Sequence, residues 1–482
     1  MKLINYLLLA LPTLLFACQS TSPDGNPKVA ESPDIQIHID QGPIGWAYLV
    51  GIYGDQRFKL DSAQMDEKGD LHFQREEPYP QGVVYVLLAN SASFPLIVDV
   101  DQTMKVNTVI NELIGQIKVE GNLENELLYG ITHQEDVYNR QIEPLNSQVE
   151  AMDPSDPAYP ALAARRDSLV RARTEVTDNV LAKYPDAFVT KFKNAGKNPD
   201  IPDVMGPDGQ PDLNVKLVRY RRAFWDGVDF SDERLLRTPV IYNKLNRYMT
   251  ELTIQDADSI IQSADALINR VKEDKPYFKF FVNWIGLKYE PGKVNLMDAE
   301  AVYVHLVQNY ITRDLAFWAD SMQIYGLQKR ASEMAASCVG LKAPDVISTD
   351  PSGQKRSIYD MKEPYIVVYM FNPNCDHCIA ETPQLLNLFN QWKREGKGFG
   401  VYAIALDTDP EEWQGFIKKF NTSAFVNVFD PTNASIYAKY YVDNTPEIYV
   451  LNPDRIIIGK NLHPEQIPII IDRDKKRQGS GS

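Results

Sequence analysis

The sequence lacks several features that would assign a class at once. It shows no internal repeat and no low-complexity run, which sets aside repeat architectures. Beyond the first 17 residues no apolar run reaches membrane-spanning length, so no second hydrophobic route into a bilayer is offered. Positive charge is in deficit: Lys+Arg number 50 against Asp+Glu 65, for a net charge of −15. Nucleic-acid binders present basic surface, so the balance argues against a nucleic-acid partner and otherwise says little. Cysteine is scarce, with only Cys18, Cys338, Cys375 and Cys378.

What is present is length and apolar content. The 482 residues exceed one ordinary domain and suggest about three, and 44% hydrophobic residues are enough for several packed cores. The start reads as a targeting segment: Lys2 is a short basic region, and Leu7 to Phe16 is an apolar stretch too short to cross a membrane. It ends in Leu15-Phe16-Ala17-Cys18, which resembles the lipobox of bacterial lipoproteins, although Phe16 is bulkier than most such motifs carry. That resemblance implies removal of residues 1–17 as a signal peptide, lipidation of Cys18 and a membrane anchor there. A plain secretory leader with an incidental cysteine is the alternative. Residues 18–32 follow as a tether, rich in Ser, Pro, Asp and Gly from Gln19 to Pro33.

Three regions of different character come next. In 33–122, Ile35, Ile37 and Ile39 alternate with Gln36, His38 and Asp40, a strand period. Further strands are expected at Trp46–Tyr53, Phe58–Met65, Leu71–Gln74, Val83–Leu88, Leu96–Val100, Met104–Val109 and Ile117–Val119. So many short strands predict a small all-β sandwich or barrel. Residues 123–332 predict a mainly α-helical domain, with helices over Ala161–Val176, Leu235–Leu252, Ser259–Val271 and Asp298–Tyr310, the last capped by Asp298. Breaks fall at Pro199, Pro202, Pro207 and Pro211, and at Pro291. The aromatics Tyr242, Tyr248, Trp284, Tyr303 and Trp318 read as core. From 335 to 475, strands at Tyr365–Phe371, Gly400–Leu406, Phe425–Val428, Ile448–Leu451 and Arg455–Ile458 alternate with helices at Cys375–Lys393, Pro410–Phe420 and Asn433–Tyr441. Alternation of this kind predicts an α/β sheet. Residues 476–482 read as a tail, and its last four, Gly479-Ser480-Gly481-Ser482, as an appended linker.

Chemistry concentrates at Cys375-Asp376-His377-Cys378. The pair follows an apolar strand and opens a helical run, which places Cys375 at a helix N-terminus. Unpaired N–H groups and the helix dipole there stabilise an anion, and the thiolate is the nucleophile of disulfide exchange. Cys378, one turn on, can resolve a mixed disulfide. A protonated His377 would lower the thiol pKa further. A structural disulfide is one alternative and half a zinc site another; zinc normally needs four ligands, and only Cys338 and scattered histidines could complete the set. No other metal and no cofactor is indicated. Cys338 is left without a partner in an oxidising envelope, and the expectation is a buried, unreactive thiol.

Residues 339 to about 472 resemble a thioredoxin-like domain of the TlpA/ResA type. Val339-Gly340-Leu341-Lys342-Ala343-Pro344-Asp345 is similar to the lead-in of that family and of peroxiredoxins, Pro383 matches the proline within the active-site helix, and Thr445-Pro446 matches the loop whose cis-proline faces the dithiol. The resemblance implies a thioredoxin fold, a redox disulfide between Cys375 and Cys378, and Pro446 shaping the substrate-facing surface. Three positions depart from thioredoxin: Tyr369 stands where it has a buried aspartate, Asn374 where it has a tryptophan, and no proline lies between the cysteines. The first two thirds resemble the N-terminal regions of thioredoxin-like lipoproteins of Bacteroidota, with Gly121-Asn122-Leu123-Glu124-Asn125 like the end of their β-module; this names no substrate.

The expected function is that of a membrane-anchored thiol–disulfide oxidoreductase acting on envelope protein thiols or disulfides, at the periplasmic face of the outer membrane. TlpA/ResA resemblance implies a reductase or isomerase supplied by an inner-membrane thiol donor, whereas His377 points toward an oxidant. The rival expectation is a non-catalytic binding or assembly subunit of an outer-membrane complex, with the thioredoxin fold as a docking module. Peroxidase activity fits less well, because Asn372 stands where peroxiredoxins carry Thr or Ser.

Overall fold

The computed structural model describes residues 32–431, 436, 439–442 and 444–479, with the backbone of Ser20–Thr21 (β1) and Pro27–Lys28 (β2), an antiparallel pair. The leader, Cys18 and most of the tether lie outside these residues, as does most of the helix expected at Asn433–Tyr441. The chain divides into two compact units, 1–247 and 248–482.

The first unit opens with strands at every place where alternation predicted one. They are β3 (Asp34–Asp40), β4 (Gly45–Tyr53), β5 (Gln56–Met65), β6 (Asp70–Gln74), β7 (Gly82–Leu87), β8 (Ser93–Val98), β9 (Thr103–Val109) and β10 (Lys118–Glu120). Two four-stranded sheets result, ordered β10-β9-β3-β6 and β5-β4-β7-β8. Ile35, Ile37 and Ile39 are all buried while Gln36 is exposed, the period-2 segregation that pins register. Gly121, at φ +84°, turns the chain out of β10, and Asn122 caps α1 (Leu123–Ala151) by accepting the Asn125 N–H at 3.2 Å. Buried Asn125 bonds both ways to the main chain of Ile97, at 2.8 and 2.7 Å, so this segment fastens α1 to β8. Then come α2 (Tyr159–Lys183), α3 (Phe188–Gly196) and α4 (Leu213–Ala223), with the proline-rich 197–212 non-helical between the last two.

The helix expected over Leu235–Leu252 is in fact two elements: a 3-10 turn, Glu233–Arg237, and α5, Pro239–Thr250. Pro239 lacks the N–H needed to continue a helix and instead starts one.

The second unit has α6 (Ala257–Arg270), α7 (Lys275–Lys288), α8 (Ala299–Tyr310) and α9 (Ser321–Met334). Asp298 caps α8 as expected, accepting the Ala301 N–H at 3.1 Å. Of the aromatics expected in core, Tyr248 and Tyr303 are buried, while Tyr242, Trp284 and Trp318 are partly so.

A seven-stranded mixed sheet follows in the order β12-β11-β15-β14-β13-β16-β17. Its strands are β11 (Ile347–Thr349), β12 (Lys355–Ser357), β13 (Ile366–Phe371), β14 (Gly400–Ala405), β15 (Val426–Phe429), β16 (Glu447–Leu451) and β17 (Ile457–Gly459). Central β13 pairs parallel with β14 and antiparallel with β16, and all six of its residues are buried. Both faces are covered, so the strand reads as a continuous apolar run. Val367, Tyr369 and Phe371 face a cluster shared with α10 (Asp376–Arg394), α11 (Pro410–Phe420) and α12 (Ile467–Gly479). Ile366, Val368 and Met370 face the opposite cluster, with Val346, Ile358 and Tyr440. The tail expected from 476 is corrected in part: α12 runs on to Gly479, because Ile467, Ile470 and Ile471 at helical spacing anchor it in the core and its last turns continue into solvent.

Candidate functional site

The last residue of β13 leads directly into the site. Asn372 shapes the turn: its side chain donates to the Asp407 carbonyl at 3.1 Å and accepts the Asn374 N–H at 2.7 Å, while its carbonyl accepts the Cys375 N–H at 3.1 Å. Cys375 is thereby the N-cap of α10, and its carbonyl accepts the first helical bond, from Ile379 at 3.0 Å. This is the helix-terminal position that the motif predicts. No bond joins the sulfurs of Cys375 and Cys378 in this structure.

The two sulfurs sit in different surroundings. Cys375 is half-buried and Cys378 is fully buried. Burial works against the charged form of Cys375, but the N–H groups of Cys378 and His377, the Cys378 thiol and the Thr445 side chain together outweigh it. Its pKa is lowered from the ordinary 9.0. Thr445 also acts the other way, since its carbonyl accepts the Cys375 S–H at 3.1 Å and so favours the thiol. Burial pushes the Cys378 thiol up to about 12. One sulfur is thus prepared to be a thiolate and its neighbour to remain protonated until needed.

The Thr445–Pro446 peptide bond is cis, as the resemblance implied, and the Thr445 carbonyl lies against Cys375. Pro383 lies within α10, also as expected. His377 is exposed, and its main-chain N–H, rather than its ring, is among the groups that hold the Cys375 thiolate.

Tyr369, where thioredoxin has an aspartate, is buried against the dithiol helix. Its hydroxyl pairs with Thr382 Oγ1 at 2.8 Å and reaches the Cys378 carbonyl at 3.4 Å, while Thr382 Oγ1 donates to that carbonyl at 2.7 Å. Burial drives the Tyr369 pKa far up, so a neutral hydroxyl pair occupies the position. Its ring stacks on Phe371 at 5.2 Å, in the core cluster that also holds the buried Cys378.

Sequence reasoning missed other side chains near the pair. Glu381, one turn past Cys378, accepts from His463 Nδ1 at 2.8 Å when that nitrogen is protonated. With Glu447 it lines a cavity of about 450 Å³ that also meets His377 and Pro446. No local motif announces them, because 381, 447 and 463 meet only through the sheet. Among the described residues no group of three or more His, Cys, Asp or Glu is placed to hold a metal ion. Cys338 is buried with Tyr303, Val307 and Met334, and is not part of the dithiol site.

Residues 363–457 match a family described as thioredoxin-like. The C-terminal part of this chain is a thioredoxin-like domain. Residues 165–325, before it, match a domain of unknown function (DUF5106). The thiol-disulfide oxidoreductase ResA of Bacillus cereus is 27% identical over 124 residues, a stretch that makes up 25% of this chain and 68% of that protein. Among solved structures, a domain of a possible thiol-disulfide isomerase from Cytophaga hutchinsonii is 31% identical, with 30% of this chain and 99% of that one covered and a TM-score of 0.28. A thioredoxin-like protein from Bacteroides caccae is 20% identical, with 57% of this chain and 97% of that one covered and a TM-score of 0.43. The thioredoxin-like domain therefore joins a β-rich and a helical region in one chain, as the order of sequence patterns implied.

Proposed function

We propose that this chain is a thiol–disulfide oxidoreductase in which Cys375 attacks and Cys378 resolves. The observation that carries the reading is the split between the two sulfurs: a half-buried thiol with lowered pKa at the N-cap of α10, and a buried one pushed up to about 12 one turn later. The Cys375 thiolate attacks one sulfur of a substrate disulfide. The substrate S–S bond breaks, its first thiol leaves with a proton from water, and a mixed disulfide forms. Cys378 then gives up its proton, attacks Cys375 Sγ and releases the second substrate thiol. The substrate gains two electrons and the chain ends as a Cys375–Cys378 disulfide. Return to the dithiol takes two electrons from an external thiol donor, the partner class that relatives of the TlpA/ResA type imply. Pro446 and the Thr445 carbonyl would align the incoming chain beside Cys375, and the His377 main-chain N–H would help hold the Cys375 thiolate, with its ring making only a small contribution to the potential.

The reading extends to location. Lipid on Cys18 would tether the protein to a membrane, and an envelope protein bearing thiols or disulfides would be its substrate, at the periplasmic face of the outer membrane. Among the described residues no helix is long and apolar enough to cross a membrane. Labelled palmitate should enter the wild type and not Cys18→Ser.

The chemistry is tested by trapping. Cys378→Ser expressed in cells should accumulate mixed disulfides through Cys375 that reducing agent releases, and Cys375→Ser should accumulate none. Equal capture by both variants, or by neither, would remove the assignment of attacker and resolver.

A further inference from the structure

The cavity that His377 and Pro446 line beside the dithiol has a wall that does not come from the thioredoxin-like sheet. Residues 291–296, between α7 and α8, line it together with His377, Glu381, Pro446 and Glu447. The wall is pinned at both ends. Pro291 and Leu296 are buried, while Gly292, Lys293 and Asn295 between them are exposed. Next to Leu296, Met297 packs against the core cluster that contains Cys378. Asp298 then accepts the Val339 N–H at 2.7 Å, and Glu300, itself a cavity residue, faces Lys460 Nζ at 3.4 Å and the Asn461 amide at 3.2 Å. Lys460 is 1% exposed, so this link between α8 and the end of β17 is dry.

The cavity is also uneven in charge. Glu300, Glu381 and Glu447 line it, with Glu300 paired to Lys460 behind the wall, against Lys293 and the imidazoles of His377 and His463. Lys293 is turned to Glu290 at 2.8 Å with its side chain 69% exposed. The Oε1 atom of Glu381 meets His463, but Oε2 is buried with no hydrogen-bond partner among the described residues. A buried carboxylate oxygen without a donor is costly, and a ligand cation would supply one. The volume, about 450 Å³, lies in the range that encloses a small ligand or a few residues of an extended segment.

We propose that residues 291–296 and Glu300 make this cavity a recognition cleft for a polypeptide carrying lysine or arginine beside the cysteine that reacts with Cys375. The inference rests on the dithiol reading above and assigns the partner of that same site. The helical region before the thioredoxin-like domain would thus choose which thiol reaches the dithiol, through a wall held rigid by Met297, Asp298 and the Glu300–Lys460 pair.

The test uses the full chain and two short peptide disulfides identical except for Lys or Glu after the cysteine, with hydroxyethyl disulfide as a substrate that carries no charge. The wild type should show kcat/KM about tenfold or more higher for the Lys peptide at low ionic strength, the preference shrinking as salt is added. Glu381→Gln, which removes the carboxylate with the orphaned oxygen, should bring the ratio below about three, and Glu300→Gln, which keeps the side-chain volume, should move it in the same direction. A wild-type ratio near one with both peptides reduced overturns the cleft and leaves the dithiol chemistry standing. A preference that survives both variants places recognition elsewhere and also overturns it. Failure of the wild type to reduce hydroxyethyl disulfide overturns the dithiol reading, and the cleft with it.

Discussion

Cys338 and Cys378 are both buried, and burial leads the causes that push each thiol up to about 12. Their neighbourhoods differ. Cys338 sits among Tyr303, Val304, Val307, Ala331 and Met334, where the nearby carboxylates of Asp298 and Glu300 push its pKa up further while Lys460 opposes them. Cys378 lies one helical turn from Cys375, whose thiolate is held by main-chain N–H groups at the start of α10. Burial alone makes an inert thiol. Burial beside a prepared nucleophile makes a resolving one.

The largest break in that comparison is removal of the nucleophile. Cys375→Ser should lower disulfide reduction by about 10³-fold or more, while Cys338→Ser should leave the rate within about twofold. A steady-state assay on hydroxyethyl disulfide distinguishes them. Loss of activity in Cys338→Ser, with the fold intact by circular dichroism, would place the third cysteine in the mechanism.

The Cys338 side breaks at Asp298. That residue caps α8, accepts the Val339 N–H and faces Lys460 Nζ at 3.9 Å, so Asp298→Ala leaves an orphaned N–H and a poorly compensated buried ammonium. The expected cost is about 3 kcal/mol, read as a lower midpoint in urea unfolding. Because Asp298 raises the Cys338 pKa, the same variant should make Cys338 react at lower pH, while leaving the alkylation profile of Cys375 in place.

Two finer changes sharpen the dithiol side. Tyr369→Phe removes the hydroxyl that pairs with Thr382, but Thr382 keeps its bond to the Cys378 carbonyl, so the loss should be about 1 kcal/mol of stability by thermal unfolding. His377→Ala should have the smallest effect. The imidazole is exposed, and the N–H supporting the thiolate belongs to the main chain and survives the substitution. Glutathione-buffered equilibration should show a shift toward reducing potential of no more than about 15 mV, under about 0.7 kcal/mol for the two-electron couple. A shift several times larger would return the ring to a leading part in tuning.

These contrasts also mark how far local patterning reaches. The strands of the first sheets, the strand–helix setting of Cys375, the proline in α10 and the cap at Asp298 depend on near neighbours and were legible. Four features were not. The 3-10 turn at Glu233–Arg237 was merged with α5 because the apolar period runs through Thr238 and Pro239. The long helix α1 carries Pro144 inside it, and Asn125 looks like an ordinary polar residue until β8 is beside it. The cavity beside the dithiol joins residues near 295 to others near 380, 446 and 461. Such meetings are decided by the register of β13, β16 and β17, and no sequence spacing encodes them.

The central claim is that a half-buried sulfur held by helix-terminal N–H groups is set apart from two sulfurs that burial keeps protonated. It is tested most directly by alkylating the reduced native protein with iodoacetamide across pH and mapping each cysteine by mass spectrometry. A lowered pKa moves the thiolate fraction, and with it the reaction, to lower pH. Cys375 should therefore be modified with a midpoint below 9.0, while Cys378 and Cys338 stay protected until pH approaches about 12 or the fold is lost. A Cys375 midpoint at or above 9.0, or Cys338 reacting in step with it, would contradict the account.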